Sequence, residues 1–288
     1  MITDEYKDLY PFESKSLDIE GLNYRYLDEG EGPETMLMLH GNPTWSFFYR
    51  DLVKKYSADY RVIAPDHIGC GQSDKPQDYE YTLENHISNV VKLIEHLDVK
   101  NITLFVHDWG GAIGSGTAIR LKERFKRLVI FNTAAFVSND IPFRISLCRL
   151  PVIGKFIVRC FNAFAGPATF MTTQKPLSAK VKAAFLLPYN NWANRIATHE
   201  FVRDIPLEKN HRSRQTLQAV DDGLKTLIDL PMLICWGKHD FCFHTGFMKA
   251  WQERFPEAEV NEFDAGHYLL EDKLDEITAT IDTFLKKH

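Results

Sequence analysis

The sequence predicts an α/β fold: a mostly parallel sheet with helices on both faces and a helical segment inserted late in the chain. Short apolar runs alternate with stretches of helical periodicity, as is typical of strands that are buried on both faces and joined by helices. The alternation stops after Phe136 and resumes near Pro231, and the residues between have mainly helical character. With 288 residues, the chain is long enough for one large domain or for a core with an insertion.

The strands and helices of the core can be placed in order from their periodicity. Alternation of apolar and polar residues predicts an opening antiparallel pair at 15–19 and 22–27. Buried strands are predicted at 36–39, 60–64, 102–106 and 128–131, and two further strands at 232–236 and 259–263. Helices are predicted over 82–97, 112–121, 245–254 and 271–286. We therefore assign an eight-stranded core to residues 1–136 and 229–288, and an inserted helical cap to residues 137–228.

Composition and cysteine usage indicate a soluble globular protein. Hydrophobic residues make up 44% of the chain and charged residues 25%, which is ordinary for this class. The start of the chain is acidic and polar, so we expect no signal peptide, and no uncharged run approaches the ~18 residues that span a bilayer. The five cysteines are odd in number and lack CxxC spacing, which predicts reduced thiols and a cytoplasmic location.

Positive charge is concentrated in the predicted cap. The net charge of −5 hides eight Lys or Arg and no Asp or Glu within residues 141–199, which leaves about −13 on the remainder. One interpretation is a cap whose apolar face packs on the core while its basic residues face water. The other is a face that meets an anionic membrane or a partner enzyme, with candidate docking residues Arg144, Arg149, Lys155 and Arg159.

The most informative single residue is Asp108. It follows the apolar run 102–106 and precedes a helix-like stretch, with Gly110 and Gly111 beside it. A strand, a sharp turn with small residues and a helix are the arrangement that exposes a nucleophile at the edge of a sheet. A carboxylate at this position forms an ester with its substrate instead of an acyl-enzyme. Taken alone, Asp108 is also compatible with an ordinary helix N-cap.

Three further motifs match the order of parts in an α/β-hydrolase. The run Leu39-His40-Gly41-Asn42-Pro43 follows a strand where such folds form the oxyanion hole. Asp240 comes just after the strand at 232–236, and His267 lies in a glycine turn after the strand at 259–263. Nucleophile, acid and histidine thus follow one another in the hydrolase order. The other position at which such folds can place the acid, after Phe131, holds Asn132, which has no carboxylate, and this favours Asp240 as the acid.

These residues predict a two-part chemistry. Asp108 would attack an sp³ carbon and displace a leaving group, which gives an alkyl ester. His267, oriented by Asp240, could then deprotonate a water that attacks the ester carbonyl. The side chains of Asn42 and Trp109 carry N–H donors that could converge on the departing anion, and their backbone N–H groups could stabilise the oxyanion.

No cofactor, metal or nucleic acid is expected from the sequence. Gly69-Cys70-Gly71 lacks the full GxGxxG pattern of a dinucleotide loop. His239, Asp240 and His244 do not have the spacing of a metal site. A basic motif interleaved with aromatic residues, as nucleic-acid binding would need, is not evident. The expected partner is a small apolar substrate.

The chain resembles the haloalkane dehalogenase family over nearly its whole length. The resemblance rests on residues 40–46 (HGNPTWS), 65–69 (PDHIG), 106–111 (VHDWGG) and 264–267 (DAGH). It implies an α/β-hydrolase fold in which Asp108 is the nucleophile and Asn42 with Trp109 hold the halide. An acid at Asp240 matches the branch that uses an Asp-Asp-His triad.

Within that branch, the cap is most similar to the β-lactone decarboxylases of long-chain olefin biosynthesis. The similarity rests on residues 132–136 (NTAAF), 159–164 (RCFNAF), 188–195 (PYNNWANR) and 201–206 (FVRDIP). It implies that a cis-β-lactone is opened with release of CO₂ and an olefin, which is the preferred hypothesis. Haloalkane hydrolysis and a non-catalytic binding role stay open.

Two related classes fit less well. Epoxide hydrolases need a pair of cap tyrosines, and Tyr189 is the only tyrosine between Phe136 and Pro231. Fluoroacetate dehalogenases have an arginine at the position of Trp109.

Overall fold

The computed structural model describes residues 4–288, and these contain a sheet of eight strands. The strands are β1 (Lys15–Ile19), β2 (Leu22–Glu29), β3 (Thr35–Leu39), β4 (Arg61–Pro65), β5 (Ile102–Asp108), β6 (Phe125–Thr133), β7 (Met232–Gly237) and β8 (Glu259–Phe263). Their order across the sheet is β1-β2-β4-β3-β5-β6-β7-β8. Strand β2 runs antiparallel to β1 and β4, and the pairs from β4 to β8 are parallel. The predicted mostly parallel sheet is confirmed.

Helices cover both faces of this sheet. They are α1 (Arg50–Tyr56), α2 (Leu83–Leu97), α3 (Trp109–Arg120), α4 (Phe143–Arg149), α5 (Ile153–Phe161), α6 (Ala165–Met171), α7 (Ala179–Leu186), α8 (Ile196–Arg203), α9 (Arg214–Gly223), α10 (Thr245–Arg254) and α11 (Leu269–Lys287). One hydrophobic cluster joins the sheet to α2, α3 and α10, and a second joins it to α1 and α11. Since β3 and β5 are buried at every residue, the sheet supplies apolar side chains to both clusters.

The described residues between β6 and β7 contain the helices α4 to α9 and no strand. We call residues 137–228 the cap segment, and its status as a domain separate from the core stays a prediction. Part of it has a small hydrophobic cluster of its own, built on Cys148, Val158 and Val202. The remainder packs on the core, for example through Ile196 and Phe201.

The observed bounds differ from the predicted ones mainly next to the candidate site. Helix α3 begins at Trp109, immediately after β5, whereas the sequence predicts its start at Ala112. Glycines disfavour helix when counted by propensity, but here Gly110 and Gly111 allow close packing against β3 and β6. Helix α11 begins at Leu269 and is kinked at Lys273. In residues 4–288, none of the helices combines the length and the apolar character required to cross a bilayer.

Candidate active site

Asp108 lies on a sharp turn between β5 and α3. Its backbone has φ 52° and ψ −126°, a conformation that residues other than glycine rarely adopt. Small residues make room for this turn: a Cβ on Gly41 would overlap the Asp108 carboxylate, and one on Gly110 would overlap the Leu39 carbonyl. The Thr133 hydroxyl donates a short hydrogen bond to the Asp108 carbonyl from the neighbouring strand. The turn is thus held in place by tertiary contacts.

The Asp108 carboxylate is buried and held by backbone N–H groups. The Asn42 amide donates to Oδ1 at 2.6 Å, and the Trp109 amide also bonds this carboxylate. Burial raises the pKa of Asp108, whereas the nearby His267 and the two amides lower it. The balance leaves the pKa above its ordinary value of 3.8. Asn42 N–H and Trp109 N–H lie where an ester carbonyl formed on Asp108 would need donors.

His267 forms a hydrogen-bonded pair with Asp240. Its Nδ1 donates to Oδ2 of Asp240 at 2.7 Å, and the Cys242 amide holds the other Asp240 oxygen at 2.6 Å. Nε2 of His267 faces Oδ2 of Asp108 at 3.7 Å, which is too long for a hydrogen bond. Burial lowers the pKa of His267, but the charge of Asp240 and its hydrogen bond raise the pKa by more, so the net shift is upward from the ordinary value of 6.5. This geometry suits a base or a cation beside Asp108.

Three buried histidines support the site, and the sequence motifs gave no role for them. His107 donates to the carbonyl of His267 at 2.9 Å and stacks on Phe48. His40 donates from Nδ1 to the Gly41 carbonyl at 2.7 Å, and its Nε2 accepts from the His67 amide at 3.1 Å. Burial lowers the pKa of all three rings, so they are neutral. The available signal was their location: His40 and His107 directly precede Gly41 and Asp108, and His67 lies in the 65–69 motif.

Asp66 is a second buried carboxylate that braces the loops around the site. Its Oδ1 accepts from the Ser46 amide at 2.8 Å, and Oδ2 accepts from the Gln72 amide at 2.7 Å. These bonds tie the loop after β3 to the loop after β4. Asp66 belongs to the 65–69 motif, but only the structure indicates this structural role.

The two predicted side-chain donors, Asn42 and Trp109, lie under helix α8 of the cap segment. Nδ2 of Asn42 donates to the Thr198 carbonyl at 3.1 Å, which uses one of its two N–H groups. The indole of Trp109 packs against Phe201 with ring centroids 5.4 Å apart. Both residues line the cavity described next.

A cavity of about 680 Å³ extends from Asp108 and His267 into the cap segment. Its size is within the ~300–1,000 Å³ of typical small-molecule sites. Apolar side chains dominate its wall. They come from the core and from the cap segment, and include Ala112, Phe136, Leu147, Ile157, Phe164, Met171, Val202, Leu217 and Phe247. An apolar ligand would fit such a wall.

Asn132, at the alternative acid position, has a structural role. Its side chain donates to the Gly237 carbonyl at 3.0 Å and accepts from the Gly237 amide at 2.7 Å, which links β6 to β7. His239 and His244 bond Asp264 and Asp140 instead of each other. Over residues 4–288, no group of three or more His, Cys, Asp or Glu is arranged to hold a metal ion.

The surface of the cap segment corrects one expectation from the sequence. Of the four candidate docking cations, Arg149 pairs with Glu208 at 2.7 Å. Arg159 is buried and bonds the Trp192 carbonyl and Gln77. Arg149 thus stabilises the cap segment internally, whereas Arg159 links the cap segment to Gln77 of the core, so neither guanidinium group is free to dock. Arg144 and Lys155 remain exposed.

The structure thus brings together Asp108, Asp240, His267, Asn42 and Trp109, the five residues that the sequence singles out. Their individual chemical roles stay predictions. In this arrangement, Asp108 lies at the end of an apolar cavity, with backbone donors on one side and the His267–Asp240 pair on the other.

Comparison with known proteins agrees with this geometry. The family described as alpha/beta hydrolase fold matches residues 34–274. The chain is 46% identical over 285 residues to the cis-3-alkyl-4-alkyloxetan-2-one decarboxylase of Shewanella oneidensis, covering 96% of this chain and 89% of that protein. It is 41% identical over 293 residues to the protein of the same name from Xanthomonas campestris pv. campestris, covering 97% and 98%.

A solved structure has the same fold at lower sequence identity. Haloalkane dehalogenase DatA from Agrobacterium tumefaciens has a TM-score of 0.86 to this structure at 26% identity, with 96% of each chain covered. The resemblance inferred from the motifs is therefore confirmed. The chain belongs to the α/β-hydrolase family, in the branch that contains cis-3-alkyl-4-alkyloxetan-2-one decarboxylases and, more distantly, haloalkane dehalogenases.

Proposed function

We propose that this protein is an enzyme that converts long-chain cis-β-lactones into olefins and CO₂. The observation that carries the proposal is the Asp108 carboxylate at the end of an apolar cavity, with Oδ1 held by the Asn42 amide. Both decarboxylase relatives are named for 3-alkyl-4-alkyloxetan-2-ones, which are β-lactones that carry two alkyl chains. An apolar wall suits such chains.

The proposed reaction has two steps. Oδ2 of Asp108 first attacks the sp³ ring carbon that carries the ring oxygen, and the bond between this carbon and that oxygen breaks. The expelled group is a carboxylate that stays attached to the neighbouring carbon, and Asp108 becomes an alkyl ester. The bond to this carboxylate then breaks, its electron pair forms the double bond, and Asp108 leaves with its own electron pair. The products are an olefin and CO₂, and neither water nor a proton is consumed.

The residues around Asp108 have distinct roles in this proposal. The indole N–H of Trp109 and the remaining amide N–H of Asn42 stabilise the carboxylate as it is expelled. The backbone N–H of Asn42 holds Oδ1, which leaves Oδ2 to attack. The cap segment lines the cavity above the core with apolar side chains, which disfavour entry of the water that would otherwise hydrolyse the ester.

Haloalkane hydrolysis is the second candidate, because the same residues suit it. Asp108 would displace the halide toward Asn42 and Trp109, and His267 would then activate a water to hydrolyse the ester. The structural likeness to a haloalkane dehalogenase favours this candidate. Epoxide opening is disfavoured, since the hydroxyl of Tyr189 already donates to the Thr44 carbonyl at 3.0 Å and is buried.

The decisive experiment offers a long-chain cis-β-lactone and a long 1-bromoalkane separately to three proteins: the parent, Asp108→Asn and His267→Gln. We expect olefin from the lactone with the parent and with His267→Gln, because no water has to be activated. With the bromoalkane, His267→Gln should accumulate an alkyl ester that intact-protein mass detects. Asp108→Asn should lose at least about a thousandfold in rate on either substrate.

Each remaining outcome contradicts the proposal in a different way. Efficient release of bromide and alcohol without olefin would assign the protein as a haloalkane dehalogenase. Absence of both turnover and ester with every substrate would instead favour a binding protein that uses the hydrolase scaffold without catalysis.

We further propose a cytoplasmic location and a division of the chain into a core and a cap. A cytoplasmic location is supported by five free cysteines, of which Cys70, Cys148 and Cys235 are buried. A core of residues 1–136 and 229–288 with a cap of residues 137–228 is supported by the separate hydrophobic cluster of the cap segment.

A further inference from the structure

We propose that the outer face of the cap segment docks on an anionic membrane, so that the two-chain substrate enters the cavity from lipid. This rests on the proposed function, because a β-lactone with two long alkyl chains partitions into a bilayer. We call this surface the docking face and define it by six exposed apolar residues of α4, α5, α6 and the α4–α5 connection: Phe143, Val152, Ile153, Phe156, Phe161 and Phe170.

The docking face exposes far more apolar area than folding of the cap requires. Phe143 is 81% exposed, Val152 80%, and Phe161 70%, although each could have been polar at no cost to the interior. The rings of Phe156 and Phe161 contact each other on this surface, with centroids 5.6 Å apart. Large contiguous apolar patches on a monomer mark contacts with another protein or with a membrane.

The cavity opens within the docking face. Phe143 and Phe170 line the cavity and are also 81% and 63% exposed, so they lie at its rim. Leu147 lines the cavity as well and is partly exposed. A protein seated on this face, including a second copy of the chain, would cover the opening. Lipid acyl chains would instead be continuous with the apolar wall.

Charge favours an anionic lipid surface. Arg144 and Lys155 are exposed among the apolar residues, and Nη1 of Arg144 contacts the sulfur of Met171 at 3.6 Å. Residues 141–199 contain no Asp or Glu, whereas the rest of the chain carries about −13. An anionic membrane therefore attracts the cap and repels the core, which orients the opening toward lipid.

The test is co-sedimentation of the full chain with vesicles of phosphatidylcholine alone or mixed equally with phosphatidylglycerol. We expect binding to the anionic vesicles at low salt. The triple variant Val152→Ser, Phe156→Ser and Phe161→Ser should bind at least about tenfold more weakly. Lys155→Glu should weaken binding about fivefold or more, and less at high salt. None of these residues lines the cavity.

Matched controls make the result specific. Ile228, which is 50% exposed, and Lys286 lie outside the docking face, so Ile228→Ser and Lys286→Glu should bind vesicles like the parent. Turnover of a short, water-soluble cis-β-lactone is measured in parallel and should be unchanged in the triple variant. If the parent binds anionic vesicles but forms no olefin from the lactone, the proposed function is contradicted, whereas the docking proposal still holds.

Two outcomes would overturn the docking proposal. One is equal sedimentation of the parent and the triple variant with anionic vesicles, or no sedimentation of either. The other is a parent that dimerises in sedimentation velocity without lipid while the triple variant is monomeric, which would assign the face to a second copy.

Discussion

The backbone amide of Asn42 donates a 2.6 Å hydrogen bond to Oδ1 of Asp108 across two neighbouring parallel strands. Asn42 follows β3 and Asp108 ends β5, and the carboxyl ends of these strands lie at the same edge of the sheet. The bond distinguishes the two carboxylate oxygens. Oδ1 is held by the loop after β3, and Oδ2 faces His267 at 3.7 Å.

This relationship depends on the absence of a side chain at Gly41. A methyl group there would overlap the Asp108 carboxylate, so Gly41→Ala should displace the nucleophile and lower kcat by at least about a hundredfold. Gly166→Ala is the matched control, because a Cβ there meets nothing within 4 Å. Steady-state rates of olefin formation measure both. Unchanged kcat in Gly41→Ala would show that the carboxylate position is not fixed by this contact.

The two candidate reactions should differ in their pH dependence. The pKa of His267 lies above 6.5, so the ring gains a proton as pH falls through that raised value and can no longer act as a base. The pKa of Asp108 is also raised, but Asp108 is a carboxylic acid, so the pH must fall further than for His267 before the nucleophile is protonated. From about pH 8 to about pH 6, ester hydrolysis should therefore decline while olefin formation continues. Initial rates of olefin formation from the lactone and of alcohol formation from the bromoalkane, measured across this pH range, test the difference.

A parallel loss of both activities on the acid side would contradict this separation. It would imply that olefin formation also needs neutral His267.

The strained backbone at Asp108 should be detectable as a difference between two inactive variants. Asp108→Ala and Asp108→Gly both remove the carboxylate, but only glycine adopts φ 52° and ψ −126° without strain. The strain of ~1–3 kcal/mol exceeds the ~0.5–1 kcal/mol that glycine loses through its flexible unfolded state. We expect Asp108→Gly to have the larger free energy of unfolding in urea, by about 1 kcal/mol. A less stable glycine variant would mean that the turn is not strained.

The buried ion pair between Arg50 and Glu271 should contribute to stability more than surface pairs do. Arg50 donates two hydrogen bonds to Glu271, at 2.5 and 2.8 Å, and both side chains are 7% exposed. Glu271→Gln removes the charge of the bidentate partner and leaves the buried guanidinium with only the partly exposed Asp51, at 3.3 Å, as a counter-charge. This should lower the free energy of unfolding by about 2 kcal/mol. The control is Glu20→Gln, which breaks an exposed pair with Lys92 and should cost less than about 1 kcal/mol. Urea denaturation of both variants compares them, and similar losses would contradict the argument.

The sequence was sufficient for the fold because its signals are local and repeated. Apolar runs such as 36–39, 102–106 and 128–131 are too short and too uniformly apolar to be surface helices, and these three were found as buried strands. The helix at 82–97 was equally predictable, because its apolar residues recur at helical spacing. The start of α3 was missed by three residues, because glycine has a low helix propensity and Gly110 and Gly111 therefore argue against a helix. Propensity carries no information on the close contacts with β3 and β6 that require these glycines.

The candidate site was accessible from sequence only in part. Asp108 ends a strand, Asp240 and His267 each follow one, and topology alone places the carboxyl ends of parallel strands at one edge of the sheet. The roles of His107 and Asp66 were not accessible, because a buried histidine or aspartate has no sequence pattern that reveals its hydrogen-bond partner. That partner comes from a distant part of the chain.

The surface of the cap segment was determined by tertiary structure most of all. The sequence established that residues 141–199 are basic and apolar, but it treated Arg144, Arg149, Lys155 and Arg159 alike. Packing decided which of them are free: Arg149 meets Glu208 across 59 residues of sequence, and Arg159 meets Gln77 across 82. Periodicity reports which side of an element is apolar, whereas exposure depends on what the rest of the chain places against it.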